Sequence, residues 1–356
     1  MKTAIIGLPM VGKSSLFTIL TGAHQESRMG STAVRAGVSK VPDPRLDALA
    51  RIFEPPKVTH ATVEYLDAPS VSKETLRDAA YVGGLRVVDA FAHVVRVFED
   101  PTVPHEEGSV DPMRDLENVE IELVLSDLVV VEKRLERLEK DRKKVKNPEL
   151  DREYDLLAAC KGFLESNRPL REMELNADDE KRIRGFQFLS QKPMLYVFNL
   201  GEEDAGRLHG REEELRARVG AKPHTAVTAI CGKVEAELAE LSTEDAKEYM
   251  ASYGLTDSGL ERLIGATYSL LGLMSFLTAG ETEVRAWTVP INSTAQKAAG
   301  AIHSDFEKKF IRAEVVPWQP LVELGGYPGV REKGLLRLEG KEYIVKDGDV
   351  LVIRHS

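Results

Sequence analysis

Gly7, Gly12, Lys13 and Ser14 fall at the spacing G-x-x-x-x-G-K-[ST] within the stretch GLPMVGKSS, and that spacing suits a chain of phosphates. In such a loop successive backbone N–H groups curl around phosphate oxygens, and the following helix points its positive N-terminal end at them. On this reading Gly7, Pro9, Met10, Val11, Gly12, Lys13, Ser14 and Ser15 make a nucleotide cradle. The Lys13 ammonium neutralises the outer phosphates and the Ser14 hydroxyl binds Mg²⁺. The pattern carries weight only between a strand and a helix. Residues 3–6 read as a short buried strand, and Leu16, Phe17, Ile19 and Leu20 follow at helical spacing. A chance glycine turn is the competing reading, and the flanking pattern opposes it.

Two more places extend this chemistry. Asp67 ends an apolar stretch over 61–66, where its carboxylate can hold Mg²⁺ through a water; alone, an Asp there reads as a helix cap or turn residue. The apolar run 194–198 leads into Asn199-Leu200-Gly201-Glu202. GTPases read their base with Asn-Lys-x-Asp at this place, the Asp accepting from guanine's ring N–H and amine. Adenine presents a ring acceptor there instead. Asn199 and Glu202 without the Lys are therefore consistent with ATP, although chemistry alone leaves a poor GTP binder open.

These residues need a scaffold. Up to about Pro104, apolar strands such as 61–66 and 92–98 alternate with helical stretches, which predicts a mostly parallel sheet with crossover helices. The strand at 194–198 returns only after a long stretch of different character. There Val124, Leu128, Val131, Leu135 and Leu138 repeat at four-three spacing, and Leu150, Tyr154, Leu157 and Leu164 resume it beyond Asn147-Pro148. Two such helices make an antiparallel coiled-coil hairpin. Between Lys133 and Lys146, eight Lys or Arg face three acids, a net charge of +5 at the hairpin tip. A solvated helical face is the commoner meaning of such a run; a nucleic-acid or ribosome contact is the alternative. From about Ser275 a smaller unit begins. Its expected parts are a strand over 285–289, a helix over 294–310, and strands over 341–345 and 350–353 around Asp347-Gly348-Asp349, which resembles a β-grasp module. The fold class is therefore α/β: a P-loop NTPase domain over 1–115 and 186–274, a helical insertion over 116–185, and a β-grasp domain over 275–356. On that division, removing the last domain leaves ATP binding largely intact.

The chain has 356 residues and a formal net charge of −10, which opposes whole-surface binding to nucleic acid and any DNA specificity. Its two cysteines, Cys160 and Cys231, lack the spacing of a zinc site or disulfide scaffold. No run reaches the roughly 18 apolar residues of a membrane span, and the first residues read directly as a strand. The expectation is a cytoplasmic monomer with no membrane partner.

At this point a resemblance enters. GLPMVGKSSLF, VPDPRLDALARIF, AHVVRVFED, HEEGSVDPMRDLENVEIELVLSDL, the Asn-x-x-Glu tetrad and VRAWTVPINSTAQKAAGAIHSDFEKKFIRAEVV together resemble the YchF family of Obg-like ATPases, over nearly the whole chain. The resemblance implies a G domain interrupted by a coiled coil and followed by a TGS domain. It further implies a preference for ATP over GTP and association with the ribosome, its large subunit or structured RNA, through the hairpin tip and the TGS domain.

The resemblance also exposes departures. The family's switch II begins Asp-Ile-Ala-Gly-Leu; here Asp67-Ala68-Pro69-Ser70-Val71 is shorter beyond, with Ser70 at the glycine that senses the γ-phosphate. Pro69 fixes a φ and removes a donor next door. In switch I the family's PFCTIEPNTG is replaced by residues 28–37, which puts Ser31 at the Mg²⁺-binding Thr. His105 aligns with a family His implied to help position water, the usual Gln being absent; a lone loop His is more often a surface residue. The expected function is a slow Mg-dependent ATPase, with Lys13 and His105 as its catalytic residues. The alternative is a nucleotide-binding module with little or no hydrolysis, and a GTPase is the weaker third reading.

Overall fold

The computed structural model of the chain describes residues 1–22 and 35–356. Its strands are β1 (Lys2–Ile6), β2 (Arg35–Lys40), β3 (Val58–Thr59), β4 (Thr62–Asp67), β5 (Ala90–Arg96), β6 (Met194–Asn199), β7 (Thr225–Ile230), β8 (Leu273–Ala279), β9 (Val284–Pro290), β10 (Phe310–Pro317), β11 (Arg337–Glu339) and β12 (Asp349–His355). The first helices are α1 (Lys13–Thr21), α2 (Pro44–Phe53), α3 (Ala79–Arg86), α4 (Pro112–Lys144), α5 (Pro148–Glu165), α6 (Ala177–Ile183) and α7 (Leu208–Val219). Then come α8 (Gly232–Leu238), α9 (Thr243–Ser252), α10 (Gly259–Leu270), α11 (Ala295–Ile302), α12 (Ser304–Lys308), α13 (Trp318–Glu323) and α14 (Tyr327–Glu332). They form two compact units, residues 1–38 with 64–270 and residues 39–63 with 271–356.

In the first unit the sheet order is β2-β4-β1-β5-β6-β7, and β4, β1, β5, β6 and β7 are parallel neighbours. Every residue of β5 and β6 is buried, as expected of parallel strands covered on both faces. The predicted hairpin is present. Asp111 caps α4 through the N–H groups of Met113 and Arg114, and Asn147 caps α5 through Glu149 N, each ahead of a proline at the first turn. Val124, Val131, Leu135, Leu138, Leu157 and Leu164 are buried between them, with Leu128, Leu150 and Tyr154 partly so. Arg134 holds Glu153 by two bonds of 2.7 and 2.8 Å.

The second unit carries a mixed sheet of order β11-β10-β12-β8-β9-β3, with β10 antiparallel to β11 and β12, and β12 parallel to β8. Residues 39–63, expected in the nucleotide domain, lie in this unit instead. Their α2 buries Leu46 and Leu49 and packs on β8, β9 and α13, while β3 adds a parallel edge to β9. Arg45 clamps the arrangement, joining Asp43 and Asp347 at 2.7 Å each.

Two local expectations need correction. The helix expected over 294–310 stops at Ile302, because extended His303 accepts from Asp305 N and starts the short α12; Phe310 already belongs to β10. Residues 341–345 are not a strand. Their backbone serves the start of α11, with Ala295 N on Tyr343 O and Val345 N on Ser293 O, so they are unavailable to a ladder.

Candidate nucleotide site

The loop between β1 and α1 has three residues at positive φ, Gly7 (144°), Met10 (59°) and Gly12 (99°). A Cβ on Gly7 would lie 2.5 Å from the Val94 carbonyl oxygen, and one on Gly12 would lie 2.6 Å from Asn199 Nδ2. Both glycines are therefore required by close approach as well as by φ. Met10 has no such freedom, and its conformation is strain of the kind found at ligand loops. Gly12 offers α1 no side-chain cap, so the first amides of that helix suit an outside anion.

Lys13 is only 7 % exposed, and its Nζ donates to Leu8 O at 2.5 Å and Ser70 Oγ at 3.0 Å. Burial pulls its ammonium down to about 8, against the opposing pull of Asp67 and Glu106. Ser14 Oγ donates to Asp67 Oδ2 at 3.0 Å, at the C-terminal end of β4. Sequence neighbours 53 apart thus place two hard oxygen donors together, the chemistry Mg²⁺ prefers. The Arg35 guanidinium sits on the same Asp67 oxygen. Ser31 lies outside the described residues.

The segment after Asp67 is tied to the loop. Val71 N donates to Gly7 O at 3.1 Å, Tyr81 Oη donates to Pro69 O at 3.0 Å, and Thr75 Oγ1 donates to Ser70 O at 3.0 Å.

Asn199 is a strut. Its Nδ2 donates to Val11 O and its Oδ1 accepts from Gly232 N, both at 3.0 Å, so it joins the loop after β1 to the start of α8. Glu202 is engaged by the Lys233 ammonium and by Tyr253 Oη at 3.1 Å, and Lys233 is the chief reason its carboxyl is held below the usual range. Sequence reasoning missed Gly232, Lys233 and Tyr253; Cys231-Gly232-Lys233 directly after the apolar run 225–230 was the available signal for the first two. His105 does not face open solvent. Its Nε2 lies 2.8 Å from Asp115 Oδ2, and its Nδ1 accepts from Glu107 N at 3.1 Å, which makes Nε2 the protonated nitrogen.

Behind the loop, His93 on β5 is buried and meets Tyr196 edge-on at 5.9 Å. Burial drives its imidazole down to about 3, which keeps it neutral. Tyr196 Oη donates to Glu120 of α4 at 3.0 Å, and the buried Arg171 pairs with that carboxylate. A cavity of about 330 Å³ adjoins Leu8, between Ser72, Glu74, Glu106 and Asn118. Glu74, Glu106, Glu107 and Glu122 outnumber Lys73 on its wall, which disfavours a triphosphate there. Both cysteines are buried, and burial raises both thiols, Cys160 to about 11, which makes them inert at neutral pH. Among the described residues no helix is long and apolar enough to cross a membrane.

A family model named YchF-GTPase_C, described as a protein of unknown function (DUF933), matches residues 273–356. The chain is 40% identical over 364 residues to the ribosome-binding ATPase YchF of Bacillus subtilis (strain 168), covering 100% of this chain and 99% of that protein. It is 39% identical over 364 residues to the ribosome-binding ATPase YchF of Haemophilus influenzae, with the same coverage. The solved structure of the Schizosaccharomyces pombe YchF GTPase matches with a TM-score of 0.85 at 29% identity, over 99% of this chain and 97% of that one.

Proposed function

Because this chain belongs to the YchF family, we propose that it binds ATP with Mg²⁺ on residues 7–15, hydrolyses it slowly to ADP and phosphate, and acts on ribosomes in the cytoplasm. The observation that carries this reading is the meeting of Lys13, Ser14 and Asp67 beneath the uncapped start of α1. Lys13 exchanges Leu8 O and Ser70 Oγ for phosphate oxygens, and the loop amides from Met10 to Lys13 hold the phosphates in line. Ser14 and Asp67 are the residues that would hold Mg²⁺, which when bound neutralises charge spread over the outer phosphates. A water oxygen bonds to the γ-phosphorus as the bond to the β,γ-bridging oxygen breaks with its electron pair left on ADP; one of the water's protons stays on the released phosphate and the other passes to solvent. His105 is assigned the orientation of that water, which requires its ring to exchange Asp115 for the water. Lys233 and Tyr253 occupy Glu202, which weakens it as an acceptor for guanine and favours ATP over GTP. For the ribosome, Arg134 and Arg142 at the hairpin turn inward onto Glu153 and Asp151, whereas Lys133, Arg137, Lys140, Lys143, Lys144 and Lys146 remain exposed. Six exposed cations on a narrow tip suit RNA phosphates.

The test is phosphate release from ATP and GTP, with and without ribosomes, beside Lys13→Ala and His105→Ala. Lys13→Ala should weaken ATP binding at least about 100-fold while the fold survives, and His105→Ala should slow release without changing ATP affinity. Unchanged ATP affinity in Lys13→Ala sinks the assignment. One second reading has its own support: the hydrogen bonds pinning residues 68–75 and the occupied His105 suit a module that binds ATP without turning it over. Tight ATP binding with no phosphate release under any condition would establish that reading.

A further inference from the structure

The carboxylate that would serve the metal already has a cation on it. Asp67 Oδ2 accepts from the Ser14 hydroxyl at 3.0 Å and, on the same oxygen, from the Arg35 guanidinium. A carboxylate oxygen has about two lone-pair sites, and these two donors use both. Arg35 opens β2 with a side chain only 20% exposed, and its guanidinium carbon lies 5.0 Å from the ring centroid of Phe17 on α1. Held by an aromatic face and a buried carboxylate, the guanidinium is a fixed charge and not a passing counter-ion.

We propose that Arg35 is a built-in competitor of Mg²⁺ at Asp67, and so sets how steeply nucleotide binding depends on the metal. This rests on the nucleotide reading above. While the metal is absent, Arg35 neutralises Asp67, and an incoming triphosphate meets a compensated carboxylate. For Mg²⁺ to approach Ser14 and Asp67, the guanidinium must give up the shared oxygen. Without Arg35, bare Asp67 repels metal-free ATP and attracts Mg²⁺ more strongly.

The experiment is titration of the full chain with a fluorescent ATP analogue, from excess chelator to saturating Mg²⁺. It compares the wild type with Arg35→Ala, Asp67→Asn and the double variant, each checked for folding by thermal melting. Arg35→Ala should lower the half-saturating Mg²⁺ concentration about tenfold and weaken metal-free binding by a similar factor. On the Asp67→Asn background the same substitution should leave the Mg²⁺ dependence unchanged. If Arg35→Ala shifts binding equally with and without Mg²⁺, Arg35 has only a structural role and the inference falls. It falls equally if the effect persists without the Asp67 carboxylate. A wild type that binds no analogue at any Mg²⁺ concentration overturns the nucleotide reading itself, a result distinct from binding whose Mg²⁺ dependence ignores Arg35.

Discussion

A lysine at 7 % exposure, with its ammonium pulled down to about 8 by burial, waits for an anion in a way a surface lysine does not. Phosphate oxygens favour the ammonium, so nucleotide binding takes up a proton wherever Lys13 is partly neutral. The sign is fixed: ATP affinity is highest below about 8 and falls as pH rises through that value, approaching tenfold per unit above it. Isothermal titration across this range, in buffers of different ionisation enthalpy, measures both the affinity and the proton uptake. A flat profile would show that Lys13 stays charged in the empty site. At this scale the motif residues Gly7, Gly12, Lys13 and Ser14 were legible because one spacing brings them together. Asn199 was expected to read the base; its task as a strut between Val11 and Gly232 was not legible, since both partners are remote in sequence.

At the scale of elements, the hairpin was legible from its heptads, whereas the means by which α4 is fastened to the nucleotide unit was not. Asp127 of α4 is wholly buried and accepts from Leu189 N at 2.9 Å and Ser190 N at 2.7 Å. Burial pushes its carboxyl up to about 6, against the pull of those donors and of Arg86. The folded chain therefore holds a proton between about 4 and 6 that the unfolded chain has released, and stability declines as pH rises across that window. Asp127→Asn should remove a decline on the order of 2–3 kcal/mol, read as the slope of urea-unfolding free energy against pH. An unchanged slope would place that titration elsewhere. The first of the two strands expected around the Asp347-Gly348-Asp349 turn, 341–345, failed for a related reason: its backbone partners lie at the start of α11.

At the scale of the whole molecule, the chain crosses between its two units through β2 and β4, so residues 39–63 depend on a sequence more than 200 residues away. A chain ended after Leu270 leaves α2 without β8, β9 and α13, exposing Leu46 and Leu49. Such a truncation should aggregate or lose soluble folded protein, contrary to the simple expectation of an independent front domain. Replacing residues 39–63 by a short polar link in the same truncation should restore solubility and ATP binding. Light scattering and analogue binding distinguish the outcomes, and a soluble, fully binding simple truncation would contradict the division.

The sequence by itself determined what local spacing encodes: the glycine-rich loop between β1 and α1, the parallel strands that present it, the heptads of α4 and α5, and the family they add up to. Only the tertiary structure decided that Arg35 and Ser14 share one oxygen of Asp67, that Lys233 and Tyr253 hold Glu202, that His105 rests on Asp115, and that α2 belongs with the C-terminal sheet. The reason is physical. Period and spacing follow from backbone geometry within a few residues, whereas a buried charge takes whichever partner the packed chain brings within hydrogen-bond reach.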